Sequence, residues 1–280
     1  MPANPDYPEL IAGREHWRYQ PEADCLKDRV ILITGAGDGI GRAAAKTFAC
    51  HGAHVILLGR TREKLEAVFD WITASTDTRP VIVPCDLEAL NDEASQALVE
   101  AIDGEFGQLH GVLHNASLLG LRVPIAHYDT HQWARVMQVN VNAQFLLTRD
   151  LLGLLEASGD ASVVFTSSSV GRQGRAYWGA YAVSKFATEG LCQVLADEHE
   201  HAGLIRFNSL NPGATRTGMR AAAYPAENPA QVATPEAKMD VYLYLFEAAS
   251  RQVNGAALDA RDWPGLAGTD GILTPRPPEN

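Results

Sequence analysis

Three residues in FTSSSVGRQGRAYWGAYAVSK, the stretch from Phe165 to Lys185, could meet around one reacting carbonyl: Ser168, Tyr181 and Lys185. Tyr181 and Lys185 are four positions apart, so on a helix they share a face. A phenol, with a pKa near ~10, is a poor base at neutral pH, but a neighbouring ammonium favours the phenolate. Lys185 can supply that charge. Ser168 follows the apolar run Ser162 to Thr166, which reads as a buried strand entering a Gly-rich loop. Its hydroxyl could hold a substrate oxygen while the tyrosine moves the proton. Singly, each residue also has an ordinary reading, because buried tyrosines mostly pack and helical lysines are mostly solvated.

The upstream half of the chain supplies what such a trio would need beside it. From Val30 the run VILI, the turn TGAGDGIG and the Ala-rich stretch Arg42 to Cys50 read as strand, tight glycine loop and helix. In that context Gly35 permits the turn, Gly39 admits a pyrophosphate to the backbone, and Gly41 lets the helix pack closely on the strand. The helix N-terminus then offers N–H donors and a positive dipole end to phosphates. A second strand, Val55 to Leu58, ends at Gly59 and Arg60. An acid about 20 residues past the glycine loop would bind the ribose of NAD, whereas an arginine accommodates the 2′-phosphate of NADP. Gly59 stands where the acid is expected, with Arg60 and Arg62 beside it, so NADP is the expected cofactor. NAD remains the alternative, because Asp38 brings a negative charge to the same neighbourhood and the arginines could be solvated.

The remaining pattern alternates helices and strands. A helix is expected over Glu63 to Ser75, a strand over Val81 to Val83 whose end brings Asp86 within reach of an adenine amino group, and a helix from about Leu90 to Phe106. The strand Gly111 to His114 delivers Asn115 and Ala116, and one continuous helix is expected from about His131 to Leu155. Asn140 on that helix is either a buried amide satisfied by backbone or a relay holding water near Lys185. The helix of Tyr181 and Lys185 runs to about His201, followed by the strand Ile205 to Leu210 and the turn Asn211, Pro212, Gly213. Thr215 to Pro235 is rich in Ala and Pro with little sheet character and reads equally as a mobile pocket cover or a surface loop. A helix over about Pro235 to Ser250 and a strand near Ala256 to Asp259 follow. The order predicts an α/β fold: a single Rossmann-type doubly wound domain over residues 28–260, its mostly parallel sheet covered by helices on both faces. An irregular arm over 1–27 and a tail over 261–280 flank it.

Composition narrows the function classes. The 280 residues are 46% hydrophobic and 20% charged with a formal net charge of -11, which argues against nucleic-acid binding through phosphate neutralisation. No run reaches the ~18 apolar residues of a membrane span, and no basic-then-apolar leader opens the chain, so neither insertion nor secretion is expected. Cys25, Cys50, Cys85 and Cys192 show no paired spacing, which fits a reducing cytoplasm. His51 with His54 and His199 with His201 lack convergent acidic or thiolate partners, so no metal is expected.

The ordered set TGAGDGIG, the Asp86 strand end, Asn115-Ala116, Asn140, Ser168, YAVSK and NPGATRT closely resembles the classical short-chain dehydrogenases/reductases over roughly residues 28–260. The wording is nearest to their bacterial YciK-like branch through HNAS, VMQVNVNA and FTSSSVGRQGRA. The resemblance implies that Tyr181 is the general acid/base, that Lys185 lowers its pKa and binds the nicotinamide ribose, that Ser168 orients the carbonyl and that Asn140 holds a relay water. It implies cofactor phosphates at Thr34, Gly35, Gly39 and Gly41 with Asp38 and Ile40 among them, and adenosine at Asp86, Leu87, Asn115 and Ala116. Thr215 and Thr217, shaped by Pro212 and Gly213, would take the nicotinamide end. Asp38 departs from the basic residue many NADP-preferring members carry, and His114 and Ser117 replace the usual Asn and Gly. The expected activity is hydride transfer between NADP(H) and a small-molecule carbonyl or alcohol. A redox-sensing binding protein on the same fold, or an isomerase or dehydratase, are the alternatives. Arg172, Arg175, Trp178, Met219 and Tyr224 are expected to border the pocket, suggesting an apolar substrate with an anionic group, although both arginines could be solvated or bridge subunits. Family members commonly pair through the two long helices, so a homodimer or homotetramer is expected.

Overall fold

The strands Val30–Thr34 (β1) and Ala161–Thr166 (β5) are buried along their whole length, as strands covered on both faces must be. With His54–Gly59 (β2), Val81–Pro84 (β3), Gly111–His114 (β4), Ile205–Asn211 (β6) and Ala257–Asp259 (β7) they form one seven-stranded sheet, β3-β2-β1-β4-β5-β6-β7. Every pairing is parallel. The computed structural model describes Tyr19 and residues 21–263; most of the expected arm and tail lie outside the described residues.

Alternate side chains of β1 point to opposite faces and so feed two separate cores. Ile31 and Ile33 join the helices Gly39–Cys50 (α1), Arg62–Ser75 (α2) and Met239–Phe246 (α8) in one apolar layer. Val30 and Leu32 join Asp92–Phe106 (α3), Ala143–Ala157 (α5) and Gly179–His199 (α6) in the other. Ala43, Ala44 and Ala45 let α1 approach the sheet closely. Because the strand order reverses between β1 and β4, a crevice opens at the carboxyl ends of those strands, where ligands of such sheets bind.

Two helices differ from the sequence-based expectation, and one loop segment carries a short helix. The helix expected from His131 to Leu155 is Thr130–Met137 (α4) and α5, joined by a wide π-helical turn at Gln138–Asn142. That turn carries Asn140, whose side chain holds the backbone of Leu118 from both sides, so the irregularity serves a tertiary contact. The stretch Thr215 to Pro235 contains a short helix, Gly218–Ala223 (α7), started by the Thr217 hydroxyl accepting from Arg220 N at 3.1 Å. The helix expected over Pro235 to Ser250 is regular only in α8, between single turns of 3-10 helix at Glu236–Lys238 and Ala248–Ser250. Ahead of β1, Leu26 is fully buried and its N–H reaches His51 O at 2.9 Å. Tyr19 packs edge-on against Tyr244 and Trp263.

Candidate active site

The glycine loop follows β1 because Thr34 locks the strand end to its neighbour. Its hydroxyl donates to Leu113 O and accepts from Asn115 N and Ala116 N, both at 3.0 Å. Asn115 Nδ2 returns a bond to Thr34 O at 3.2 Å. A Cβ on Gly41 would lie 2.3 Å from Gly35 O and 2.7 Å from Asn115 Nδ2, so only glycine lets α1 start this close to the β1–β4 junction. Above the junction lies a cavity of about 510 Å³. It is walled by the glycine loop, the ends of β2 through β6, the start of α6 and the segment around α7.

Most of the expected site residues meet in this wall. Gly35, Asp38, Gly39, Ile40, Arg60, Asp86, Leu87, Asn115 and Ala116 line one end, Ser168, Tyr181, Lys185, Pro212, Gly213 and Thr215 the other, and Thr217 lines it beside Gly39. Thr34, Gly41 and Asn140 do not line it; they hold the wall from behind. Arg172 and Arg175 are also absent from it, whereas Trp178, Met219 and Tyr224 are present.

At the end lined by Arg60, Asp38 is less of an obstacle to a phosphate than its charge suggests. One carboxylate oxygen caps α1 by accepting from Gly39 N at 2.7 Å, and the other takes Lys64 Nζ at 2.5 Å. Lys64 holds the Asp38 carboxyl below the usual carboxylate range. Arg60 and Lys64 both line the mouth, while Arg62 is turned to Glu66 on its own helix. Lys64 carries no local signal of this role, because the contact joins the glycine loop to α2 across a separation of 26 residues. Asp86 Oδ1 accepts from Glu88 N, and Glu88 is gripped by Arg135 at 2.6 and 2.8 Å, which ties this loop to α4. Ser117 Oγ, in the wall, is buried without a hydrogen-bond partner among the described residues. A basic mouth, a glycine cradle and an orphaned hydroxyl fit a phosphorylated dinucleotide.

At the other end Tyr181 is 8% exposed and Lys185 1%. Lys185 Nζ donates to Thr166 O at 2.7 Å and lies 5.6 Å from the centre of the Tyr181 ring. Burial pushes the Tyr181 phenol up to about 12, with a hydrogen bond to Ser168 pulling the other way. The lowering expected from Lys185 is therefore not what the protein's own residues produce: the ammonium faces a backbone carbonyl, and desolvation dominates. Burial also brings Lys185 down to about 8, opposed by the nearby Glu189 carboxylate. Asn140 accepts from Leu118 N at 2.7 Å and donates to Leu118 O and Ser184 Oγ, so both protons of its side-chain amide are committed to protein. His114 stacks on Phe165 and bonds Thr148 Oγ1, and burial holds it neutral, down to about 3.

Glu189 is the functional neighbour that sequence reasoning passed over. It lies one turn beyond Lys185 on α6 and takes the hydroxyls of Ser167 at 2.5 Å and Ser209 at 2.6 Å. Arg172 Nε reaches the same carboxylate at 3.3 Å and its other nitrogen reaches Leu258 O, so the segments flanking Ser168 are both anchored. A Cβ on Gly171 would meet Lys185 Cβ at 2.7 Å and its backbone at 2.9 Å, which is how the Ser168 turn lies flush on α6. The signal was present as an acid at helical spacing from a lysine, but its burial was not.

Among the described residues no group of three or more His, Cys, Asp or Glu could hold a metal ion, and no helix is long and apolar enough to cross a membrane. Comparison with known proteins gives a consistent picture. A family profile described as short chain dehydrogenase matches residues 29–228. The uncharacterized oxidoreductase YciK of Escherichia coli strain K12 is 53% identical over 243 residues, covering 87% of this chain and 96% of that protein. The structure of a short chain dehydrogenase from Pseudomonas syringae superposes with a TM-score of 0.85 at 54% identity, covering 87% of this chain and 99% of that one. One from Shigella flexneri, crystallised with NADP, gives a TM-score of 0.84 at 52% identity over 86% of this chain and all of its own.

Proposed function

This chain belongs to the short chain dehydrogenase family, and on that footing we propose that it is an NADP(H)-dependent oxidoreductase in which Tyr181 moves the proton of a carbonyl/alcohol interconversion. The observation that carries this reading is the Tyr181 hydroxyl, bonded to Ser168, beside Lys185, in the same cavity as the glycine loop. The related Shigella flexneri protein crystallised with NADP supports the cofactor.

Bound in this cavity, NADP(H) would supply or accept the hydride. Arg60 would hold the 2′-phosphate with Lys64 beside it, the glycine loop and α1 would hold the pyrophosphate, and Asp86, Leu87, Asn115 and Ala116 the adenosine. Lys185, Thr215 and Thr217 would position the nicotinamide end, with Pro212 and Gly213 shaping the turn behind it. Ser168 would hold the substrate oxygen while Tyr181 exchanges a proton with it. A phenol that is protonated at neutral pH can donate the proton that reduction of a carbonyl requires.

Titration with NADPH and NADH, followed by nicotinamide fluorescence, tests the cofactor assignment. NADPH is expected to bind tighter, and Arg60→Ala to weaken NADPH about tenfold with little effect on NADH, as loss of one charge-assisted contact implies. Equal binding of the two cofactors by wild type would remove Arg60 from this role.

The same reading includes self-association. Val183, Phe186 and Val194 stand exposed along α6 and Phe145 on the adjoining α5, whose Gln144 bonds Thr188. A two-fold axis would lay this stripe on its own copy, burying apolar surface against apolar surface. Light scattering is expected to give a multiple of the 30.3 kDa chain mass, and a monomer throughout would contradict it. A cytoplasmic setting fits too, since Cys25, Cys50, Cys85 and Cys192 are all free thiols.

A further inference from the structure

The residues around Tyr181 form an apolar cluster separate from both core layers, and that cluster restricts what can reach the phenol. Trp178 and Ala223 are buried in it, with Leu119, Met219 and Tyr224 packed against them. The Trp178 ring centre is 5.8 Å from that of Tyr181 and 5.9 Å from that of Tyr224, tilted by 47° and 48°. A group approaching the Tyr181 hydroxyl from this side therefore passes along a wall of aromatic rings.

The charges nearby are already spent. Arg220 lines the wall, but its Nε and one outer nitrogen are engaged by Glu227 at 2.7 and 2.5 Å, and its guanidinium lies 3.8 Å from the Tyr224 ring centre. Arg122 stands outside the wall, 4.4 Å from the centre of Trp178 and 5.3 Å from that of Tyr224, and donates to Ala223 O. It braces the two rings and the end of α7 from behind. Arg172 is committed to Glu189 and Arg175 lies elsewhere, so the two arginines that suggested an anionic substrate do not meet it. Lys185 already donates to Thr166 O, so a carboxylate brought to this end would be desolvated with no dedicated arginine to take it, which is costly, whereas flat apolar rings stack favourably on aromatic faces.

We infer that the substrate is a neutral molecule carrying its carbonyl on an apolar ring, and that Trp178, braced by Arg122, is the residue that selects it. The inference rests on the reading of Tyr181 as the proton-transfer residue, but its test does not depend on turnover. Binding of tetralone, a tetralone carboxylate and the open-chain octanone is measured by calorimetry, with and without saturating NADP. Tetralone is expected to bind about tenfold tighter than either of the others, and Trp178→Leu to erase that preference, the size expected of an aromatic contact. Unchanged NADP affinity in Trp178→Leu shows that the variant is folded. Equal or tighter binding of the carboxylate or of octanone, no binding of tetralone, or an unchanged preference in Trp178→Leu would each overturn the inference. Tyr181→Phe should leave tetralone binding intact, so turnover by that variant would sink the catalytic reading without touching this one.

Discussion

Replacing Tyr181 with Phe is expected to lower turnover by about a thousandfold or more while leaving NADPH affinity within about twofold of wild type, the range seen when a positioned acid is removed. The substitution keeps the ring that packs against Trp178 and removes the one oxygen that bonds Ser168. Nothing in the cradle around Gly35 to Gly41 touches that oxygen, so cofactor binding has no reason to change. The same site predicts a direction in pH. Burial brings Lys185 down to about 8 and pushes Tyr181 up to about 12, so as pH rises the lysine loses its charge first. Turnover is expected to fall as pH passes through about 8 while the phenol is still protonated. Steady-state rates of both proteins across pH check this; activity retained by the Phe variant, or a flat profile to pH ~10, the range of an unperturbed phenol, would contradict it.

Asp160→Asn should be the most damaging change far from the site, costing about 3 kcal/mol of stability at neutral pH, the usual consequence of stranding a buried charge cluster. Asp160 sits at the opposite end of the sheet from the cavity, just ahead of β5. Arg29 reaches its carboxylate at 2.9 Å, Arg251 at 3.2 Å and Arg206 closer still, and its main-chain oxygen also takes Arg29. Burial alone would raise the Asp160 carboxyl, but Arg206, Arg29 and Arg251 outweigh it and hold it well below the usual carboxylate range. A depressed carboxyl contributes stability that is fully present above its unfolded value of about 4 and is lost as pH falls towards the folded one. Urea melts should therefore separate wild type from variant most at neutral pH and bring them together in acid. A gap that stays constant down to low pH would mean that the carboxylate charge is not the cause.

These two residues also mark what could and could not be read from the chain. Tyr181 and Lys185 were legible because both lie on one regular helix, where spacing alone places them on one face. The glycine loop was legible because strand, loop and helix follow one another directly. Asp160 was not, since its arginines come from three separate segments that only the sheet brings together. Lys64 was missed for the same reason, and with it the explanation of why Asp38 does not repel a phosphate. The π-helical turn at Asn140 escaped because its cause, the backbone of Leu118, is 22 residues away and leaves no mark on local periodicity. Arg172 was read as facing the pocket because a loop does not reveal its direction; the buried Glu189 turns it the other way.

This cavity is expected to transfer hydride to a carbonyl under the control of Tyr181. NADPH deuterated at the transferable position, incubated with tetralone, measures it directly, with the alcohol product read by mass spectrometry. Wild type is predicted to place the deuterium on the carbinol carbon, and Tyr181→Phe to give no labelled alcohol above background although it binds NADPH equally well. Labelled product in equal yield from both proteins, or none from wild type with NADPH bound and either tetralone or its carboxylate supplied, would contradict hydride transfer under the control of Tyr181.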